Sequence, residues 1–327
     1  MGGQVRGVKA QVTGIARGQR LAVDADGYPG EVHVAVIAHA GKTIGGGLDE
    51  LRRVLTRAGV EDPDWREVPK SRKAPKQLRK AVEAGAELVF VWGGDGMVQR
   101  CVDTVAGSDV TVAIIPAGTA NLFASSLGIP QDIGEAVRIG LEGTRRRFDL
   151  GKVDGEHFAV MAGVGFDAAM IDDADKGMKR RAGKLAYFGT AVRHVGDDPV
   201  KATVLVDGQE WFSGPATCVL LGNIGTIAGG IEAFDDASPF DGRLEVGVST
   251  ARGALQWART LGRMALGRTG TSPFVEVTSG RKVKVRFAEP VLLELDGGAR
   301  KPVRKLKAKA VRSAVTIAVP DQPAAGT

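Results

Sequence analysis

The residues best suited to chemistry lie in one short stretch. Leu88 to Trp92 is an apolar run of strand length that stops at Gly93-Gly94-Asp95-Gly96, followed by Met97. Beyond it Val98, Cys101, Val102 and Val105 recur at helical spacing, and Gly107 is placed to end the helix. Three glycines between a strand end and a helix start let backbone N–H groups converge without Cβ interference, and the helix dipole adds partial positive charge. Such a turn cradles phosphate. The same residues also fit a tight strand-to-helix turn, because Asp-Gly is a common turn pair. The Gly-Lys-Ser/Thr ending of a Walker A loop is absent, as is GxGxxG spacing.

Repeated strand-helix units position this turn. Glu31 to Ala38 reads as a buried strand, followed by Gly41-Lys42 and a helix with Leu48, Leu51, Leu55 and Ala58 on one face. Trp65 to Val68 is a weaker strand, and Pro75 suits the first turn of the helix after it. Thr111 to Ile115 is a fourth strand, ending in Pro116-Ala117-Gly118-Thr119-Ala120-Asn121, where Thr119 and Asn121 either cap the next helix or contact a nucleotide. This alternation predicts a parallel sheet with helices on both faces, whose ligands gather at the carboxyl ends of the strands.

From Phe148 onward the pattern changes to short alternating runs with turn signals at Asp154-Gly155, Asp207-Gly208 and Asp241-Gly242. Period two with hairpin turns predicts an antiparallel sheet or sandwich. The boundary is placed near Arg147, giving an α/β segment over 31–147 and a β-sandwich over 148–313. Ala251 to Gly267 reads as a helix with Leu255, Ala258, Leu261 and Ala265 on its packed side. The basic segment 176–194 reads as solvated surface, and the Lys/Arg-dense run from Arg300 to Arg312 as a solvated strand pair that could also steer anionic ligands.

The chain has 327 residues, 43% hydrophobic and 5% aromatic, with a net charge of +6. That composition suits a globular protein with an anionic partner. Nucleic acid is the weakest of the anionic partners, because no basic strand carries interleaved aromatics. Cys101 and Cys218 sit in apolar runs without metal-like spacing, which predicts buried thiols in a reducing, cytoplasmic setting. Residues 1–30 show no apolar signal region and read as a disordered tail, as do residues 321–327. No uninterrupted run reaches transmembrane length.

Six stretches occur in a fixed order: Gly93 to Gly96, Pro116 to Asn121, Gly163 to Asp167, Asn223 with Gly229-Gly230, Asp241-Gly242 and Asp296-Gly297. In that order the chain resembles the bacterial diacylglycerol kinase-like lipid kinases, a group distantly similar to NAD kinases and 6-phosphofructokinases. The resemblance runs from Val32 to Pro320. It implies an α/β domain and a β-sandwich with ATP in the cleft between them, and a last strand, 314–320, returning to the first domain. The implied reaction moves the γ-phosphate of ATP to the hydroxyl of diacylglycerol or a similar lipid at the inner membrane surface, and a homodimer is left open.

The resemblance also assigns residues. Gly41, Lys42, Gly93, Gly94, Asp95, Gly96, Met97, Gly118, Thr119 and Asn121 would bind the nucleotide. Asp296 would take the hydroxyl proton, with Asp95 holding Mg²⁺ or orienting the phosphates. Asp241 with the carbonyls of Ser238 and Arg243 would form a structural Mg²⁺ site, supported by Asp149. The chain departs from the family pattern at Met97, where Thr is usual, at the first-strand loop, reduced to Gly41 with Lys42 and His39, and at Asp296-Gly297-Gly298, where Asp-Gly-Glu is usual. Those departures keep two alternatives in view: an NAD kinase, and a nucleotide- or lipid-binding regulator with weak catalysis.

Overall fold

The computed structural model describes residues 32–164, 199–227, 231–265, 270 and 272–321. The segments 1–30, 165–167, 176–194, 229–230 and 322–327 discussed above lie outside the described residues.

The first half alternates as its periodicity predicts. β1 (Val34–His39), β2 (Asp64–Val68), β3 (Leu88–Gly93) and β4 (Thr111–Pro116) are linked by α1 (Gly47–Arg57), α2 (Ala74–Glu83) and α3 (Asp95–Val105). The strands are parallel in the order β2-β1-β3-β4, with Val34 opposite Leu88 and Leu88 opposite Thr111. Val36, Ile37, Val89, Phe90 and Val91 are fully buried, as strands covered on both faces require. After β4 come α4 (Leu122–Ser126) and α5 (Ile133–Glu142). α1 packs with α5 and α2 with α3, as right-handed crossovers to either side of β1 dictate.

The change of residue pattern at Arg147 falls inside a strand, β5 (Thr144–Val153), rather than between elements. It is followed by β6 (Glu156–Phe158), β7 (Met161–Val164), β8 (Val200–Val206), β9 (Gln209–Ala216), β10 (Cys218–Gly222), β11 (Thr226–Ile227), β12 (Ile231–Glu232) and β13 (Leu244–Ser249). Then come α6 (Gly253–Ala265), β14 (Val275–Gly280), β15 (Lys282–Val291), β16 (Leu293–Leu295), β17 (Gly298–Ala299) and β18 (Val303–Val319). The antiparallel sheet β14-β13-β10-β7-β16-β17 packs on the β18-β15-β8-β9 part of the larger sheet. Val204, Val283, Val285 and Leu306 from one sheet meet Val219, Leu221, Val246 and Leu293 from the other. The second half is an antiparallel β-sandwich.

The Asp154-Gly155 and Asp207-Gly208 signals form two-residue hairpin loops, with φ of 46° and 105° in the first and 51° and 94° in the second. Positive φ at both positions matches the strand twist, which explains the Asp-Gly choice. On α6 the expected face is corrected. Leu255 is 75% exposed and Ala258 is exposed, while Trp257, Thr260 and Met264 are buried. The Trp257 ring outweighs the smaller residues in deciding which side turns inward.

β18 belongs to both halves. Lys307 lies opposite Lys284 of β15, and further on Thr316 lies beside Thr111 of β4, with β5 along its other edge. The register to β5 slips between Val311 and Val315, where Ser313 takes φ 47° and donates its N–H to Asp149 Oδ1 at 2.7 Å. That slip redirects the strand from sandwich to parallel sheet.

Candidate functional site

β1 and β3 are neighbours that the chain leaves in opposite directions, so their carboxyl ends flank the switch point where α/β sheets take ligands. Three loops meet there. Gly41 donates its N–H to His39 Nδ1 at 3.1 Å, the Lys42 carbonyl accepts from Trp92 Nε1 at 3.0 Å, and the Ala117 N–H donates to the Gly93 carbonyl at 2.9 Å. The glycines answer to closeness rather than to backbone angle, since Gly93, Gly94, Gly96 and Gly118 all avoid the left-handed region. A Cβ on Gly118 would sit 2.5 Å from Gly94 Cα, and one on Gly93 would sit 2.5 Å from Met97 Cβ. A Cβ on Gly96 would meet nothing within 4 Å, so the loop is open on that side. The Met97 side chain is buried, whereas Thr119 is exposed.

α3 begins at Asp95 with Gly94 in the N-cap position, so half of the glycine motif is helix. Asp95 turns toward a second helix and accepts the Phe123 N–H of α4 at 3.3 Å. Burial raises its carboxyl above the usual range, and the backbone N–H groups at the start of α4 oppose that rise. Neither Thr119 nor Asn121 caps α4 with its side chain. Asn121 holds the N-cap position at φ 48°, but its side chain folds back to accept from the Gly118 N–H at 2.8 Å and donate to the Gly118 carbonyl at 2.9 Å. Asp95 does the capping from outside. Gln131, which sequence reasoning passed over, also donates to the Gly118 carbonyl, at 2.9 Å.

The second half brings one carboxylate to this place. Asp296 and Gly297 form a two-residue hairpin turn between β16 and β17, with φ of 45° and 75°. Asp296 Oδ2 accepts from the Ala159 N–H at 2.7 Å, and Oδ1 accepts from Val160 and Met161, each at 2.9 Å. Burial pushes this carboxyl up to about 6; the three N–H groups pull the other way, and the charge of Asp95 lifts it further. Asp95, remote in sequence, is the weakest of these influences on the Asp296 carboxyl.

Residues 33–153 match the family model of the diacylglycerol kinase catalytic domain, and residues 159–319 match that of the YegS C-terminal NAD kinase beta sandwich-like domain. The chain belongs to the diacylglycerol kinase-like lipid kinases. It is 28% identical over 215 residues to a diacylglycerol kinase of Bacillus subtilis (strain 168), covering 64% of this chain and 71% of that protein. In fold it is similar to a diacylglycerol kinase from Bacillus anthracis str. Sterne, with TM-score 0.66 and 20% identity over 90% of this chain and 98% of that one. A more distant likeness joins it to an Archaeoglobus fulgidus NAD kinase in complex with ATP, with TM-score 0.52 and 12% identity, covering 89% and 94% of the two chains.

In this diacylglycerol kinase-like chain, the glycine at position 298 has a steric counterpart. A Cβ there would come 2.8 Å from Arg300 Nη1, which donates to the Gly298 carbonyl, also at 2.8 Å. Arg300 grips Glu156 with both arms, its Nε donating at 2.8 Å, and reaches Gln99 Oε1 of α3 at 3.4 Å. Gln99 in turn donates to the His157 carbonyl at 2.7 Å, and Asp103 accepts the His157 N–H at 2.8 Å. The helix that begins in the glycine turn, α3, is thus clamped to the turn that carries Asp296. Sequence reasoning placed Arg300 in a solvated run; its side chain is 18% exposed and ion-paired. No local signal marks this network, because its members are joined only by the fold.

Replacing Arg300 by Met is expected to cost about 2 kcal/mol in urea unfolding, because a partly buried bidentate pair is broken. The loss should be much smaller when Glu156 is already Gln. Equal losses in both backgrounds would show that the pair does not couple.

Asp149 and Asp241 lie on a second set of hydrogen bonds around the turn at Gly242, and the Asp149 N–H donates at 2.8 Å to the carbonyl of Pro239, the residue after Ser238. Buried Asp149 accepts the Gly242 N–H at 2.7 Å, its carbonyl accepts from Asn223 Nδ2 at 2.9 Å, and the same Nδ2 donates to the Ala159 carbonyl at 2.8 Å. Asp241 is exposed and accepts the Arg243 N–H at 2.8 Å, while the Arg243 side chain turns to Ser279. Burial first, then Asp241 and Asp236, raise the Glu245 carboxyl. Among the described residues no three His, Cys, Asp or Glu side chains converge as a metal cage. A cation at this turn would depend on Asp241 and backbone carbonyls.

Proposed function

We propose that the chain transfers the terminal phosphoryl group of ATP to the hydroxyl of diacylglycerol or a similar membrane lipid. The observation that supports this best is the Arg300 contact with Gln99 and Glu156, which ties α3, the helix that begins at Asp95, to the turn that carries buried Asp296. In this reading residues 31–147 supply the nucleotide side and residues 148–313 the acceptor side. Gly93, Gly94, Gly96 and Gly118 let backbone approach the phosphates, while Gly41, Lys42, Met97, Thr119 and Asn121 shape or line the nucleotide site. Phosphoryl transfer needs little covalent chemistry from the protein, so positioning and charge neutralisation are what these loops contribute.

Asp296 takes the proton of the acceptor hydroxyl. A carboxyl lifted to about 6 is a stronger base than an ordinary carboxylate and is still ionised at neutral pH. Its three backbone N–H donors fix its orientation while leaving acceptor capacity for the hydroxyl. Mg²⁺, when bound, would neutralise phosphate charge, and Asp95, at the start of α3 with its carboxyl raised by burial, is the residue that would hold it. Ser238, Asp241 and Arg243 are proposed as a separate structural site.

The deciding experiment incubates the protein with γ-labelled ATP, Mg²⁺ and a panel of lipids carrying free hydroxyls, with NAD as a further acceptor. Label is expected in a chloroform-extractable product. Nucleotide binding with no labelled lipid across the panel would overturn the reading. Label entering NAD instead would select the alternative motivated by the NAD kinase-like fold.

A further inference from the structure

One exposed sheet face carries cations in an arrangement that works against the fold. Between β15 and β18, Lys282 stands opposite Lys309, Lys284 opposite Lys307 and Arg286 opposite Lys305, and all six are exposed. Like charges directly opposite on antiparallel strands repel. The intervening Val283, Val285, Leu306 and Ala308 point into the sandwich core, so the six charged heads share the outer face. Among the described residues none of the six is ion-paired. Glu210 stands at the far rim, opposite Leu205.

The basic row continues sideways toward the candidate site. Lys309 lies opposite Lys152 of β5, and Lys152 lies opposite His157 of β6, which bonds to Asp103 of α3. Helix α3 begins at the glycine loop, so the charged face borders the element that holds that loop.

We propose that this face docks the protein on an anionic bilayer surface. Neighbouring strands are about 4.8 Å apart and same-face residues about 7 Å apart along a strand, so the charges form a plane rather than a groove. Five of the six cations are Lys, compact point charges that attract a headgroup phosphate without demanding bidentate geometry. Every same-face position in the paired segments 282–286 and 305–309 is a cation, which leaves no aromatic ring there on which a base could stack. The docking claim stands on the surface alone, whereas the turnover test below also rests on the lipid-kinase reading.

The test is co-sedimentation of the full chain with vesicles of phosphatidylcholine, with and without phosphatidylglycerol. Binding is expected to the anionic vesicles alone and to fade with added salt. The triple variant Lys284→Gln, Lys307→Gln, Lys309→Gln is expected to bind them about 100-fold more weakly, at about fivefold per cation removed. Its Tm should be unchanged or higher, since cross-strand repulsion is relieved. If the triple variant aggregates, Lys307→Gln alone decides, with a loss of about fivefold. On anionic vesicles the triple variant should turn over lipid far more slowly than the parent, while turnover of a short-chain acceptor dispersed in water stays the same. Absence of any kinase activity would leave the sedimentation result standing. Equal binding of parent and variant, equal binding to neutral vesicles, or tighter retention on duplex DNA would overturn the proposal.

Discussion

Asp296→Asn is expected to slow phosphoryl transfer by about 10²- to 10⁴-fold, the usual worth of a positioned general base. The variant keeps the shape of the side chain but removes its negative charge. Whichever way the amide is set, its NH₂ faces at least one of the N–H groups of Ala159, Val160 and Met161, and that donor is left without an acceptor. ATP affinity, measured alongside, should change much less than the rate. In the parent, kcat/KM should rise with pH through about 6 as Asp296 loses its proton, and the variant should lose that inflection.

The same carboxyl links stability to pH. Its folded value, about 6, lies above the ordinary 3.8, so between those values the folded state holds the proton more tightly than the unfolded chain. Stability should therefore fall as pH rises across that window, by about 3 kcal/mol from this group. A variant within tenfold of the parent rate, or a parent profile flat near pH 6, would remove Asp296 from the role of base.

The second large effect separates packing from binding at two glycines. Gly118→Ala drives a methyl group to 2.5 Å from Gly94 Cα, backbone against backbone, so the loops after β3 and β4 must part. The expected cost is about 1–3 kcal/mol of stability together with loss of nucleotide affinity. Gly96→Ala should behave differently. Its new methyl enters open space on the first turn of α3, where Ala is a better helix former than Gly by about 1 kcal/mol. Thermal unfolding should show no loss, yet nucleotide titration should weaken if the phosphates lie on that side. Undiminished affinity in Gly96→Ala would place the phosphates elsewhere.

What could be read from the sequence was what repeats locally. The period-two runs, the Asp-Gly hairpins and the strand-helix alternation each report on neighbouring residues, and the architecture follows from them. Asp95 and Asp296 were visible as carboxylates in glycine turns for the same reason. Their hydrogen-bond partners were not visible, because each is recruited across the fold: Asp95 caps a helix it does not precede, and Asp296 is bound by the backbone ahead of β7. The Arg300 clamp was misread because a charge run reveals composition but not which member turns inward. The face of α6 was misjudged because counting apolar positions gave Leu255 the same weight as Trp257, although the larger ring decides the contact.

Strand β18 sets a condition on co-translational folding. The edge of β4 stays uncovered until residues 303–319 have left the ribosome, so the parallel sheet remains incomplete long after its first four strands are made. Such long-range closure slows folding and leaves an unpaired strand edge exposed in the meantime. Until that last long strand pairs, β4 offers its free edge to any other strand, its own chain's or a neighbour's.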